Sequence, residues 1–204
     1  MLTQGVALLE RAMGFTLGGL VLVTPEAMAR PTPCPTWDLR ALLAHMNESL
    51  ESLHEAIVVG HLVLDPAADL GAVHADYGDP LTDPVASLKN RACQMVGAWV
   101  RPDGPGTVTV ADRSLASEVV AAAGAIEVAV HGWDVAQACG RPHPLPPALA
   151  EELLVLCEVF VDDDDRPYRF GRPVPVEPAA TAGDRLVALL GRDPDWGRRQ
   201  AGRG

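Results

Sequence analysis

At 204 residues, 48% hydrophobic and 21% charged, the chain has the length and balance of one globular domain with a substantial core. Its net charge of −11 and pI near 4.8 argue against non-specific binding to nucleic acid or to an anionic membrane surface. The four cysteines (Cys34, Cys93, Cys139, Cys157) form no CxxC pair and no zinc-ribbon spacing, which points to free thiols in a reducing, cytoplasmic compartment.

Val6, Leu9, Met13, Leu17 and Leu20 recur at helical spacing and predict an amphipathic first helix over roughly residues 3–22. The stretch 15–30, FTLGGLVLVTPEAMAR, has the outline of a signal peptide. However, no basic segment precedes it, and Glu10 and Arg11 stand just upstream. The proline-rich RPTPCPT leads into a second helix, with Thr36 as the expected N-cap and Asp38 suited to the positive helix end, continuing to about residue 60. Residues 65–84, rich in Asp, Gly and Pro, read as a long connection. A third helix is expected over 84–100, ending at RPDGPG. TVTVAD, 107–112, reads as one short strand or as an extended lead into the next helix.

The fourth helix is expected at 114–139, stopped by Gly140 and Pro142, and the fifth at 146–161, running out into the acidic run 162–165. That run reads as a solvated helix end. From 165 to 204 the chain reads as an extended C-terminal segment with one short helix at 181–190, closed by Gly191. No stretch is expected to span a membrane. Four long helices with short accessory pieces predict an all-α domain, a four-helix bundle, occupying residues 1–204 as one unit.

In the fourth helix, VVAAAGAIEVAV leaves Glu127 as the lone polar side chain of residues 119–130. A carboxylate in such surroundings needs a cation, a hydrogen-bond partner or a proton. His131 follows one turn later on the same face, Asp134 follows one turn beyond that, and Gly124 and Ala138 are small enough to leave room beside them. Spacing alone leaves two readings open: a metal site, or a buried pairing of Glu127 with an arginine or histidine. Asp134 suits a group that holds an imidazole or a neighbouring ligand.

On the second helix Leu39, Leu42, Leu43, Met46, Leu50, Leu53 and Ile57 form the apolar stripe. His45 falls at its edge, on a face with Asp38, Ala41, Ser49 and Ser52. It reads either as a residue aimed into a polar pocket or as a hydrogen-bonded boundary histidine. His54 and His61 are expected at the surface, and His74 and His143 in connections without a helical partner. Trp37 and Trp133 flank the two polar segments, as pocket walls or as packing anchors. Cys34 and Cys139 read as inert buried thiols, since neither has an evident activating base.

Taken together, PTPCPTWDLRALLAHM and EVAVHGWDVAQACGRP resemble the metal-binding domain of the mycothiol-dependent maleylpyruvate isomerase family, part of the wider DinB-like group of four-helix bundles. The tail, FGRPVPVEP…DRLVALLGRDPDW, is similar to an actinobacterial branch of it. The resemblance implies that His45, Glu127 and His131 bind a divalent metal, zinc first, with nickel, iron or manganese as alternatives. It further implies a low-molecular-weight thiol such as mycothiol as co-substrate, in S-transfer to a small electrophile. The expected partners are thus small molecules, without nucleic acid or membrane, bound by a monomer or homodimer. Two other readings stand beside it: a non-catalytic, metal-stabilised module in which Asp134 closes the site as a fourth ligand, and a hydrolase working through metal-activated water.

Overall fold

The computed structural model describes residues 4–62, 83–99, 106–110, 112–163, 166 and 170–202. Most of the expected connection 65–84, with His74, lies outside the described residues, as do positions 164 and 165 of the acidic run. In chain order the elements are α1 (Gln4–Leu20), a 3-10 turn (Pro25–Ala27), α2 (Leu39–Val59), β1 (His61–Leu62), α3 (Pro84–Trp99), β2 (Thr107–Val110) and β3 (Arg113–Ala116). They continue with α4 (Ser117–Ala138), α5 (Pro147–Phe160), α6 (Ala182–Leu189) and α7 (Trp196–Ala201). The fold is mostly helical, with a small sheet in the order β1-β2-β3.

The apolar stripes fall where their periodicity puts them. Leu9, Met13 and Leu20 of α1 are buried, and so is the whole predicted stripe of α2. Two starting points differ from expectation. Asp38, not Thr36, caps α2: its Oδ1 accepts the Ala41 N–H at 2.8 Å, because a side chain must sit three residues before that donor to reach it. Helix α4 begins at Ser117 because residues 113–116 turn back instead as β3, antiparallel to β2, with Asp112 in a left-handed conformation at φ 67°. The expected single strand is therefore a hairpin, and β1 pairs parallel to its first strand.

Helix α4 lies at the centre. It packs most extensively on α1, and it also contacts α2 and α5. Its length and hydropathy alone would let it cross a membrane, against the expectation that no stretch would; it is 83% buried within the protein, as a core helix is. Close approach to α1 depends on Gly132, where a Cβ would stand 2.3 Å from Thr16 Oγ1 and 3.0 Å from its Cα. Thr16 donates to the Val128 carbonyl at 2.7 Å across the same seam, and Glu118 accepts the Val6 N–H at 3.0 Å at the start of α1. Gly124 leaves no polar space, contrary to expectation: Leu53 of α2 fills it, with its Cδ1 2.8 Å from where a Cβ would be.

His143 does have a helical partner. Its ring stacks on Phe15 of α1 at 4.4 Å between centroids, and its Nε2–H donates to the Phe15 carbonyl at 3.0 Å. Beyond α5 the C-terminal segment packs α6 on α5 and a further helix, α7, against α4. Leu186, Val187 and Leu190 of that segment join the same buried cluster as α1–α5.

Candidate metal centre

Helices α2 and α4 bring the three expected residues to one point. Glu127 Oε1 lies 2.8 Å from His45 Nε2 and 3.1 Å from His131 Nε2. Donors about 2.0–2.2 Å from a tetrahedral zinc ion stand roughly 3 Å or slightly more from one another, so the spacing suits a shared divalent ion. Two imidazoles and a carboxylate are also the ligand types such ions accept. His131 is buried, whereas the Glu127 side chain is 36% exposed, so the centre opens on the carboxylate side. Glu127 is thus a residue at the mouth of a site, rather than one sealed in the core.

With no ion bound, the electrostatics favour an ion pair between Glu127 and His131. Desolvation raises the Glu127 carboxyl, but His131 and His45 outweigh it and hold the group well below the usual carboxylate range. Desolvation likewise lowers His131, but Glu127 first, then Asp134 and Cys34, lift it well above the ordinary imidazole value.

Behind His131 stands a second layer. Asp134, fully buried, accepts on its Oδ2 the Nδ1–H of His131 at 3.0 Å, an Arg192 Nη2–H at 3.1 Å and the Cys34 thiol at 3.4 Å. Desolvation raises the Asp134 carboxyl, and Arg192 foremost, with His131, brings it below its usual value. Cys34, His131 and Asp134 also offer their ligand atoms within 4.8 Å of one another, as do His45, Glu127 and His131. In the Cys34 group, however, the Arg192 guanidinium already stands 3.1 Å from both Cys34 Sγ and Asp134 Oδ2. Like charges would meet there, which leaves the His45 group as the candidate centre.

Two of these neighbours run against sequence expectation. Cys34 is not isolated: it sits between a carboxylate and a guanidinium contributed by residues 100 and 158 positions away. Arg192 has no local signal, because it follows the last predicted helix with nothing in its spacing to tie it to α4. The pointer available was Asp134 itself, a carboxylate on a largely apolar helix and so in need of a cation.

Trp37 walls the centre. Its ring lies 4.5 Å from the His45 ring and 6.0 Å from that of His131. The loop carrying it is pinned by Thr32, whose hydroxyl bonds the Trp37 carbonyl at 2.9 Å and accepts the Cys34 N–H at 3.1 Å. Trp133 is buried in the core as a packing residue. Beside Glu127 and His131 a narrow crevice, with room for about one water molecule, is lined chiefly by apolar side chains such as Met13, Leu17, Met46, Leu50 and Leu88.

Residues 9–136 match the family described as the mycothiol maleylpyruvate isomerase N-terminal domain. Two uncharacterised proteins of Mycobacterium tuberculosis, from strains CDC 1551 / Oshkosh and H37Rv, are each 27% identical over 191 residues, covering 90% of this chain and 94% of theirs. No solved structure matches the chain. The match spans more than half of the chain and includes His45, Glu127, His131 and Asp134, and the chain belongs to the mycothiol maleylpyruvate isomerase N-terminal domain family.

Proposed function

We propose that His45, Glu127 and His131 hold a divalent metal ion, zinc first and nickel, iron or manganese as alternatives. We further propose that the protein is an enzyme that transfers the sulfur of a low-molecular-weight thiol, mycothiol foremost, to a small electrophile. We read α1–α4 as a DinB-like four-helix bundle, with α5 and the C-terminal segment completing one domain over residues 1–204. It would work in the cytoplasm as a monomer or homodimer.

The observation that carries this reading is the convergence of both imidazole Nε2 atoms on Glu127 Oε1, on the open side of the centre. Asp134 bonds the opposite ring nitrogen of His131, which argues against its closing the site as a fourth ligand and so against a purely structural metal. A bound ion of this kind lowers the pKa of a thiol and acts as a Lewis acid toward a carbonyl.

The chain's own residues supply the rest. His131 is oriented by Asp134, and Trp37 excludes water from one side of His45. In the transfer, the thiol gives its proton to solvent and its sulfur bonds the electrophilic carbon, while the bond broken at that carbon gives its electron pair to a departing group or to the adjacent atom of a double bond, which then takes a proton from solvent.

Protein purified without chelator or affinity tag should carry about one divalent ion per chain, and His45→Ala or His131→Ala should lose it in elemental analysis. Retention of metal by both variants would overturn the ligand set. After cobalt substitution, titration with mycothiol should shift the visible absorption. An unchanged spectrum with mycothiol, bacillithiol and glutathione alike would overturn the thiol reading.

A further inference from the structure

We propose that Arg192 is a positioning residue of the metal centre, acting through Asp134 on the imidazole of His131. The inference rests on the ligand set above but reaches outside the family match, which ends at residue 136.

The geometry is a chain of contacts. Asp134 has no exposed surface, and a carboxylate so placed is costly without a cation. Arg192 provides one. Its Nη2 lies 3.1 Å from Asp134 Oδ2, and its Nη1 donates to the Leu190 carbonyl at 2.9 Å, so both arms of the guanidinium are engaged. Its side chain is only 11% exposed.

Oδ2 is also the atom that accepts His131 Nδ1–H at 3.0 Å. Fixing that oxygen fixes the ring, and Nε2 is thereby turned to Glu127 and the candidate metal position. A carboxylate behind a ligand histidine commonly has this role, and its loss weakens metal binding. Here the carboxylate is itself anchored by an arginine from the far end of the chain. The C-terminal segment is in this way coupled to the centre through Asp134.

The alternative is that Arg192 only docks the C-terminal segment through an ion pair. The test separates the two with Arg192→Met, Asp134→Asn and their double variant, and with Arg192→Lys, which keeps a buried charge but not the fork. Zinc affinity is measured by competition with a chromophoric chelator. Arg192→Met should lose roughly 10- to 100-fold in affinity, the range for partners of this kind. In the Asp134→Asn background the same change should cost nothing further, whereas multiplicative losses would overturn the proposal.

A second readout needs neither metal nor activity. In histidine-labelled protein the Nδ1–H of His131 should appear as a downfield, slowly exchanging proton, and it should be lost in Arg192→Met. If Arg192→Met does not fold, Arg192→Lys decides: weakened affinity with a faster-exchanging Nδ1–H supports the coupling, and wild-type values in both overturn it. If the wild type binds no divalent ion, the metal reading fails, yet the Nδ1–H signal still tests Arg192.

Discussion

Glu127 Oε1 takes both imidazoles and Asp134 Oδ2 takes three donors, so two single oxygens organise the polar interior of a largely apolar helix. The cysteines divide along the same lines of burial and partnership. Cys157 is 2% exposed, and burial pushes its thiol up to about 12; Cys139 is buried and raised for the same reason, while Cys93 is exposed. Because the thiolate is the reactive form, alkylation at pH 8 followed by peptide mapping should label Cys93 in the native protein. Cys139 and Cys157 should be labelled only after unfolding, and rapid labelling of either would contradict their burial. The residues legible in the sequence were those whose partners lie one turn away or in a paired motif: His45, Glu127, His131 and Asp134. Cys34 was misread and Arg192 unseen, because their partners stand 100 and 58 residues distant and tertiary packing alone brings them together.

At the level of elements, two seams of α1 can be tested. Against α4, Gly132→Ala would drive a Cβ into Thr16, including its backbone, and weaken the Thr16 bond to Val128. Overpacking of this sort costs about 1–3 kcal/mol, so urea unfolding should show a loss of that size; a neutral result would mean the helices part without penalty. Against α5, Arg11 grips Glu152 with both arms, at 2.8 and 2.7 Å. The Arg11 hydrogen bond lowers the Glu152 carboxyl from 4.5. A depressed carboxylate stabilises the fold above its unfolded value and loses that contribution as pH falls through the folded one. Both side chains are about half exposed, so solvent limits the pair to under about 1 kcal/mol. Glu152→Gln should therefore cost less than that at pH 7 and progressively less as the pH falls below 4.5 through the folded carboxyl's lowered value, and the difference should shrink in high salt. A larger or pH-independent loss would show that Glu152 acts through packing instead. The long helices were readable because their apolar periodicity is strong. Of the β2–β3 hairpin only the first strand was readable, as one of two alternatives, and β3 and α7 were not, being four to six residues long, too short for periodicity to separate strand, turn and helix.

At the level of the whole molecule, the family match ends at residue 136, but the buried cluster does not. Leu145, Leu149 and Leu153 continue it through α5, and Leu186, Val187 and Leu190 close it from the C-terminal segment. A core shared in this way predicts one cooperative folding unit rather than a bundle with a detachable tail. Leu186 offers the sharpest test, because it is fully buried yet belongs to the short α6, far along the chain from the candidate metal centre. If α6 were an appendage, Leu186→Ala would loosen only the tail and leave the main transition in place. If the core is one, the substitution should lower the stability of the entire protein by about 2–5 kcal/mol, the range for a buried leucine truncated to alanine. Tryptophan fluorescence and far-ultraviolet circular dichroism should then report the same single transition, moved to lower denaturant together. Two separated transitions, or a shift confined to one probe, would make the C-terminal segment a separate unit. That outcome would also remove the rigid frame through which Arg192 reaches Asp134, and with it the reason for the proposed metal centre in α2 and α4 to depend on the C-terminal segment.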